Sequence, residues 1–181
     1  MSDTVETLAG LLAHGWDLLE ARGEALRNLA FATVGPQGWP EVRTVVLRGA
    51  DRDAGTLEIH TDRYSSKITS LRDAPMAEIL AWDAEARVQI RARAEVFIQT
   101  GLSVAEAWAQ VPDPSREAYG AVPAPGTPID DALAYEKPGR FEGFAVLHCR
   151  VVALDLVHLG EVHRRARYRR EDDWQGQWLA P

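Results

Sequence analysis

The sequence has little of what several common classes of protein require. Cys149 is the one cysteine in 181 residues, so we expect neither a disulfide framework within the chain nor a cysteine-rich metal site, and we expect the thiol to pack as a small buried hydrophobe. The 20 basic residues are outnumbered by 27 acids, and the net charge of −7 argues against a general binder of nucleic acids or membrane surfaces. The amino-terminal segment MSDTVETLAGLLAHGW has neither a basic stretch nor a long apolar run. It therefore predicts neither secretion nor a membrane span, and the expected location is the cytoplasm.

Signatures of common enzyme classes are missing too. The sequence contains no G-x-S-x-G, G-x-x-x-x-G-K-S/T or G-x-G-x-x-G, which argues against the common hydrolase, P-loop and Rossmann folds. His158 and His163 are five residues apart in an expected hairpin, a spacing that suits no standard zinc motif, so we expect no metal. The basic run 164–170 is reminiscent of RNA binders. Alternation along a strand would divide it between two faces, however, and three acids follow it directly.

What the sequence does contain is a pattern of short strands. With 46% apolar residues, the chain suits one compact domain over 1–181. Apolar residues at helical spacing predict an amphipathic helix within residues 1–27, starting at Thr4 and reaching about Leu29, in which Gly15 is a candidate break. Residues 112–140 are rich in proline and glycine and predict a long loop that is functional or covers a surface.

Alternating, β-branched segments predict mostly antiparallel strands, and Ser103 is a candidate cap for one short helix. Few helices among many strands fit a small closed barrel, which leaves no open sheet edge. The expected strands are 29–34, 43–48, 56–61, 77–82, 88–98, 144–159, 164–169 and 174–179, and the expected short helix is 103–110.

A candidate anion site lies in the segment 43–67. Arg43 opens one strand, Thr61 closes the next, and Ser65 or Ser66 can cap a helix that has Lys67 in its first turn. A helix start offers unpaired N–H groups and a positive dipole end, which suits a phosphate group. Ordinary helix capping and a solvated lysine explain the same residues, and the spacing alone leaves both interpretations open.

The order of these segments resembles the pyridoxamine 5'-phosphate oxidase family and its FMN-binding relatives. Residues 43–48 (RTVVLR) are similar to the family's R-x-V-L-L-K strand, His60-Thr61 to its Y-T pair, and Ser65-Ser66-Lys67 to its S-R-K helix start. The run HRRARYRR is similar to the family's carboxy-terminal motif, and the similarity extends from about residue 28 to 181. The resemblance implies a mainly β fold with flanking helices, the FMN-binding split β-barrel, which pairs into a homodimer with FMN at the interface.

The resemblance implies FMN as the cofactor and assigns its contacts. Ser66 stands where the family commonly has a second basic residue, and Arg63 is a candidate replacement. Either Arg87 or Gln89 takes the position of the family glutamine that reaches the flavin from the partner subunit. The implied cofactor contacts are Arg43, Thr44, Val45, Val46, Leu47, His60, Thr61, Ser65, Ser66, Lys67, Arg87, Gln89 and Arg165.

The substrate half of the family pattern is less complete. Arg48, Ser115 and His163 are candidate substrate contacts, but Glu161 replaces an arginine of the family's R-x-H pair and Val111 replaces another. An acid facing a phosphate is repulsive. The resemblance therefore implies an FMN-dependent oxidoreductase acting on an unknown small molecule, and no general acid or base can be named. The alternatives are a non-catalytic flavin-binding protein, a true pyridoxamine 5'-phosphate oxidase with rearranged substrate contacts, and a deazaflavin or haem protein.

Overall fold

The computed structural model describes residues 5–181, apart from the side chain of Glu24. Its helices are α1 (Leu8–Ala21), α2 (Glu24–Arg27), α3 (Ser66–Asp73), α4 (Ala105–Ala109) and α5 (Asp113–Arg116). Its strands are β1 (Asn28–Val34), β2 (Pro40–Asp51), β3 (Thr56–Asp62), β4 (Met76–Asp83), β5 (Val88–Thr100), β6 (Phe144–Leu159), β7 (His163–Arg169) and β8 (Gln177–Leu179). No helix within these residues has the length and apolar character to cross a membrane.

The strands form one antiparallel sheet that closes on itself. The strand order is β3-β2-β1-β4-β5-β6-β7-β8, and an additional pairing of β3 with β6 closes six strands into a barrel. Strand β6 belongs to two pairings on the same side, because residues 144–150 pair with β3 and residues 153–159 pair with β7. A register shift between β5 and β6 lies where these partners change. The expected mainly β split barrel with flanking helices is confirmed.

The core of the barrel follows from alternation along the strands. Inward positions such as Phe31, Leu47, Ile59 and Ile90 are buried, and α1 and α3 add apolar side chains at the barrel ends. Cys149 is fully buried, as expected, and burial raises the pKa of its thiol to about 12. The thiol is therefore a packing group.

Two expectations for the amino-terminal helix are wrong. Helix α1 continues through Gly15 without a break. The glycine lets the helix approach β6 closely, because a Cβ atom at this position would lie 2.8 Å from Leu156 Cδ1. The helix ends at Ala21, where Arg22 adopts a left-handed conformation with φ of 48°, so it does not reach Leu29. The expected start at Thr4 lies outside the described residues.

Two other expectations also need correction. Ser103 does not cap a helix: it lies in a 3₁₀ turn, its hydroxyl donates to the carbonyl of Thr100, and α4 begins only at Ala105. Trp174 does not start a strand, since its φ is 60° and β8 begins at Gln177. The glycines of these two turns, Gly101 and Gly176, each lie two residues from the position in question, so they do not mark Ser103 or Trp174 itself.

The segment 101–119 covers the outer face of β3 and β6 through a second small core. Val104, Val111, Tyr119, Phe144 and Val146 are buried there, with Trp108 packed against them. The expected loop at 112–140 is long, although α5 lies near its start and an isolated bridge joins Val122 and Glu136.

Candidate functional site

The side chain of Lys67, in the first turn of α3, is surrounded by hydroxyl groups. Its Nζ donates to Thr61 Oγ1 at 2.9 Å and to Ser65 Oγ at 3.0 Å. Ser65 stands at the N-cap position, but its hydroxyl donates to the carbonyl of Asp62 at 2.7 Å while accepting from Lys67. Ser66 is exposed in the first turn of the same helix. The structure thus brings together the residues expected around a phosphate.

The electrostatics of Lys67 suit the binding of an anion. Burial lowers the pKa of Lys67, the neighbouring charge of Arg43 lowers it further, and Asp62 partly opposes the shift. Within residues 5–181, no carboxylate lies within 4 Å of its ammonium group. A phosphate at the α3 amino terminus would balance the ammonium charge, so these residues fit an FMN phosphate.

Arg43 contributes charge from the inner face of the barrel end. Its Nη1 donates to Thr33 Oγ1 at 2.7 Å and to the carbonyl of Glu41 at 2.9 Å, and its Nη2 contacts Glu41 Oε2 at 2.8 Å. The carboxylate of Glu41 therefore neutralises part of its charge. The sequence analysis did not single out Thr33 or Glu41, although their alternation with Arg43 places all three on one face.

Arg63 has other contacts. Its guanidinium lies 5.3 Å from the centre of the Tyr64 ring, and its Nη1 donates to the carbonyl of Glu142 at 3.3 Å. Asp62, also missed, ties the long loop to the barrel, because its Oδ2 accepts from the amide of Gly120 at 2.6 Å. An aspartate directly after a strand and before a turn was the available signal.

Strand β2 has an open edge beside this cluster. Residues 40–46 pair with β1 on one side, whereas β3 pairs with β2 only from Leu47 onward. Among the described residues no strand pairs with the other edge of 40–46. Thr44 and Val46 point outward, and Val45 and Leu47 point into the core. Free backbone groups on this edge can bond a planar heterocycle without help from particular side chains.

A second group of expected contacts lies on the outer face of β5, β6 and β7. Gln89, Val157 and Arg165 occupy one cross-strand row. Of the two candidates for the family glutamine, Gln89 lies in this row, and Arg87 occupies the preceding turn with φ of 53°.

Asp155 fixes the guanidinium of Arg165. Arg165 Nε and Nη2 donate to the two carboxylate oxygens at 3.0 Å each, and Arg91 Nη2 donates to Oδ2 at 2.9 Å. Burial acts to raise the pKa of Asp155, but the bonds and charges of the two arginines hold it below its usual value. Sequence analysis missed this group because Asp155 and Arg91 are 64 residues apart.

One chain does not bring these two groups of residues together. Strands β2 and β5 are separated by β1 and β4, which is roughly 14 Å at the usual strand spacing. Arg43 also faces into the barrel end, whereas Gln89 faces outward.

The expected substrate contacts are separated as well. Arg48 lines a cleft of about 250 Å³ on the outer face, together with Glu58, His60 and Val111. His60 Nε2 lies 2.8 Å from Glu58 Oε1, so His60 points away from Thr61 and the Lys67 cluster. Ser115 lies in α5, within the segment that covers this face. His163 is distant from this cleft. It pairs with Leu159 of β6, whereas Glu58 in the cleft pairs with His148 of the same strand. Leu159 lies eleven residues after His148, which corresponds to roughly 35 Å along β6.

Comparison with known proteins shows which proteins this chain is similar to. Residues 15–100 match the family model described as "Pyridoxamine 5'-phosphate oxidase, FMN-binding domain". A crystal structure of a pyridoxamine 5'-phosphate oxidase-related, FMN-binding protein from Nostoc punctiforme PCC 73102 is 28% identical and superposes with a TM-score of 0.75 over 95% of this chain and 96% of that chain. The chain is therefore similar to the pyridoxamine 5'-phosphate oxidase-like FMN-binding proteins, in sequence over residues 15–100 and in fold over nearly its whole length. FMN is its cofactor, as the resemblance implied.

Two further relatives of this FMN-binding protein are informative. Pyridoxine/pyridoxamine 5'-phosphate oxidase 2 from Arabidopsis thaliana is 37% identical over 108 residues, which are 55% of this chain and 54% of that protein. The match thus spans about half the length of the plant protein. PhzG from Burkholderia lata 383, solved in complex with tetrahydrophenazine-1-carboxylic acid, is 19% identical and has a TM-score of 0.73 over 100% of this chain and 97% of that chain. That likeness concerns the fold.

Proposed function

We propose that the protein is an FMN-dependent oxidoreductase that acts on a small molecule as a cytoplasmic homodimer. The observation that carries this proposal is the partly buried ammonium of Lys67, held by Thr61 and Ser65 at a helix start with Arg43 nearby. Bound FMN supplies hydride and electron transfer at its ring. The residues of this chain bind the cofactor and orient it.

The binding roles follow from the geometry. Lys67 neutralises the phosphate, the hydroxyls of Thr61 and Ser65 and the amides at the start of α3 complete its hydrogen bonds, and Arg43 adds a second positive charge. The ring would lie along the open edge 43–46 of β2, where free backbone groups can contact it. Pairing of β2 with β3 from Leu47 onward limits how far the ring extends.

A homodimer is supported by the separation of the two groups of contacts and by an exposed apolar face. The outer face of β2, β1 and β4 carries five apolar side chains that are 39–70% exposed: Val42, Val34, Leu80, Met76 and Trp82. Apolar patches of this kind commonly mark protein interfaces. In a twofold dimer, Gln89 and Arg165 of one chain complete the flavin site of the other.

Mixed dimers test this arrangement. We expect Lys67→Ala and Arg165→Ala each to weaken FMN binding as a homodimer. When the two variants are unfolded, mixed and refolded together, a site shared between chains regenerates one unmutated site in every mixed dimer. High-affinity binding should therefore return at one FMN per mixed dimer. Mixed dimers that stay as weak as the two parents would contradict the shared site, and a monomer in solution would exclude the homodimer.

Chromatography of the cofactor released from purified protein tests its identity. We expect FMN, because the charged groups converge on one phosphate, and absorption peaks near roughly 375 and 450 nm. Recovery of FAD, haem or no flavin, even after reconstitution with excess FMN, would contradict the proposal. A flavin that stays oxidised on anaerobic addition of NADH or NADPH would favour the non-catalytic alternative.

A true pyridoxamine 5'-phosphate oxidase is the second alternative, and an assay for pyridoxal 5'-phosphate tests it. We expect slow or undetectable turnover by FMN-loaded protein, because Glu161 and Val111 replace two cations of the family. At about 1.5–3 kcal/mol for each lost charged contact, substrate affinity should fall by a few orders of magnitude. Efficient turnover at micromolar substrate would establish the alternative.

A further inference from the structure

The resemblance already implies Arg48 as a substrate contact; we propose that the cleft beside it accepts a small monocarboxylate in preference to a phosphate monoester. The inference rests on the proposed function, since it places the flavin ring along the open edge of β2. The cleft itself is defined by this chain alone. Its main lining residues are Arg48, Glu58, His60, Gln110, Val111 and Pro112.

The cleft continues from the proposed flavin position. Thr44 and Val46 point outward from β2 beside the open edge, and Arg48 follows them on the same strand. Arg48 is the bulged residue at which the pairing of β2 with β3 shifts register between Leu47 and Gly49. A bulge re-aims a side chain, and here it places the guanidinium in the cleft.

Arg48 is the cation of this cleft, and it is available to a ligand. Its Nε is buried without a hydrogen-bond partner, and no carboxylate lies within 4 Å of the guanidinium among the described side chains. Arg48 also forms a side-chain hydrogen bond with Tyr119; burial raises the pKa of Tyr119, and the charge of the arginine and this hydrogen bond lower it in part. The remaining donors of the guanidinium, Nε among them, match the two oxygens of a carboxylate.

Glu58 opposes a second negative charge. Its hydrogen bond to His60 lowers the pKa of its carboxyl more than burial raises it, and the charges of His148 and Arg22 act in the same direction. Glu58 is therefore ionised at neutral pH. A monoanion balances the charge of Arg48, whereas a phosphate dianion also meets the carboxylate of Glu58.

The covering segment supplies no further free cation at this cleft within the described residues. Arg116 is engaged, because its Nη1 contacts Asp113 Oδ1 at 2.8 Å and its guanidinium lies 5.1 Å from the Trp108 ring centre. Ala107, Val111 and Pro112 form the apolar walls. A volume of about 250 Å³ lies below the range for drug-sized ligands and suits a single ring that carries one carboxylate.

Benzoate and phenyl phosphate are matched probes for this cleft. With FMN-loaded protein we expect benzoate to bind roughly tenfold or more tightly than phenyl phosphate, measured by calorimetry and by the flavin difference spectrum. Arg48→Ala should weaken benzoate binding roughly ten- to hundredfold. Glu58→Gln should strengthen phenyl phosphate binding roughly tenfold and change benzoate binding by less than about threefold. Arg72→Ala removes an exposed arginine from the last turn of α3 and is the charge-matched control.

The outcomes separate this inference from the proposed function. Tighter binding of phenyl phosphate than of benzoate, or benzoate binding that survives both Arg48→Ala and the more conservative Arg48→Gln, overturns the inference even if FMN binds normally. If the protein takes up no FMN, the proposed function fails, and calorimetry on the flavin-free protein still tests the cleft. Circular dichroism of each variant shows whether it is folded.

Discussion

Replacement of Lys67 by alanine should weaken FMN binding without weakening the fold. A hydrogen bond between charged groups contributes about 1.5–3 kcal/mol, so the dissociation constant should rise roughly ten- to hundredfold. Riboflavin lacks the phosphate, and its affinity should change by less than about threefold. Arg43→Ala should have a smaller effect on FMN, because Glu41 already neutralises part of the arginine charge. Fluorescence titration of both flavins with each variant provides the comparison.

The flavin-free protein supplies an independent test of the same site. Burial and the charge of Arg43 lower the pKa of Lys67 in the folded state below its ordinary value of 10.5. The unfolded chain therefore holds this proton more tightly, and the charged lysine opposes folding at neutral pH. That cost is relieved as the pH rises through the folded pKa. We expect Lys67→Met, which keeps the aliphatic packing, to match or exceed the thermal stability of wild type at pH 7 without flavin.

Two results would refute this account of the phosphate site. One is an unchanged preference for FMN over riboflavin in a folded Lys67→Ala protein. The other is an equal loss for both flavins, because that pattern indicates damage to the ring site. Arg72→Ala, at the opposite end of α3, should leave both affinities unchanged.

Three further variants or reagents test other parts of the structure. Asp155→Ala should lower the thermal midpoint by roughly 5 °C at pH 7, because two arginines lose their shared carboxylate. The pKa of Asp155 is lowered in the folded state, so the stability that its ionised carboxylate contributes is present above the ordinary pKa of 3.8 and is lost as the pH falls below it. Gly143→Ala should destabilise the protein by about 1–3 kcal/mol in urea unfolding, because the new Cβ would lie 2.3 Å from the backbone of Gly120. Cys149 should react with a thiol reagent only after denaturation, and rapid reaction of the native protein would contradict its burial.

Much of the fold could be predicted because strand alternation is a local signal. The strand at 144–159 has the expected bounds, and the one at 29–34 begins one residue earlier. The incorrect predictions concern positions where tertiary contacts, and not the local sequence, determine the backbone conformation. Gly15 resembles a helix break in sequence, but it is needed for the approach of α1 to Leu156. The left-handed conformation before β8 falls on Asp173 and Trp174, which are not glycines, so the sequence gives no local signal for it.

The candidate site was predictable in its cofactor half and less so beyond it. Lys67, Thr61 and Ser65 are close in sequence, so one strand end and one helix start place them together. The pairing of Arg165 with Asp155 depends on the register of β6 and β7, which the spacing of residues does not reveal. The Glu58–His60 pair was missed because the family's Y-T pattern suggested that His60 lies beside Thr61 in the site. Strand alternation instead turns the side chains of His60 and Thr61 to opposite faces of β3.

A crystal structure of the FMN-loaded protein tests the account most directly. We expect a phosphate oxygen about 2.7–3.2 Å from Lys67 Nζ, with the ring along the 43–46 edge of β2 and Gln89 or Arg165 of a second copy against it. A phosphate bound away from Lys67, or a ring contacted by one chain alone, would contradict it.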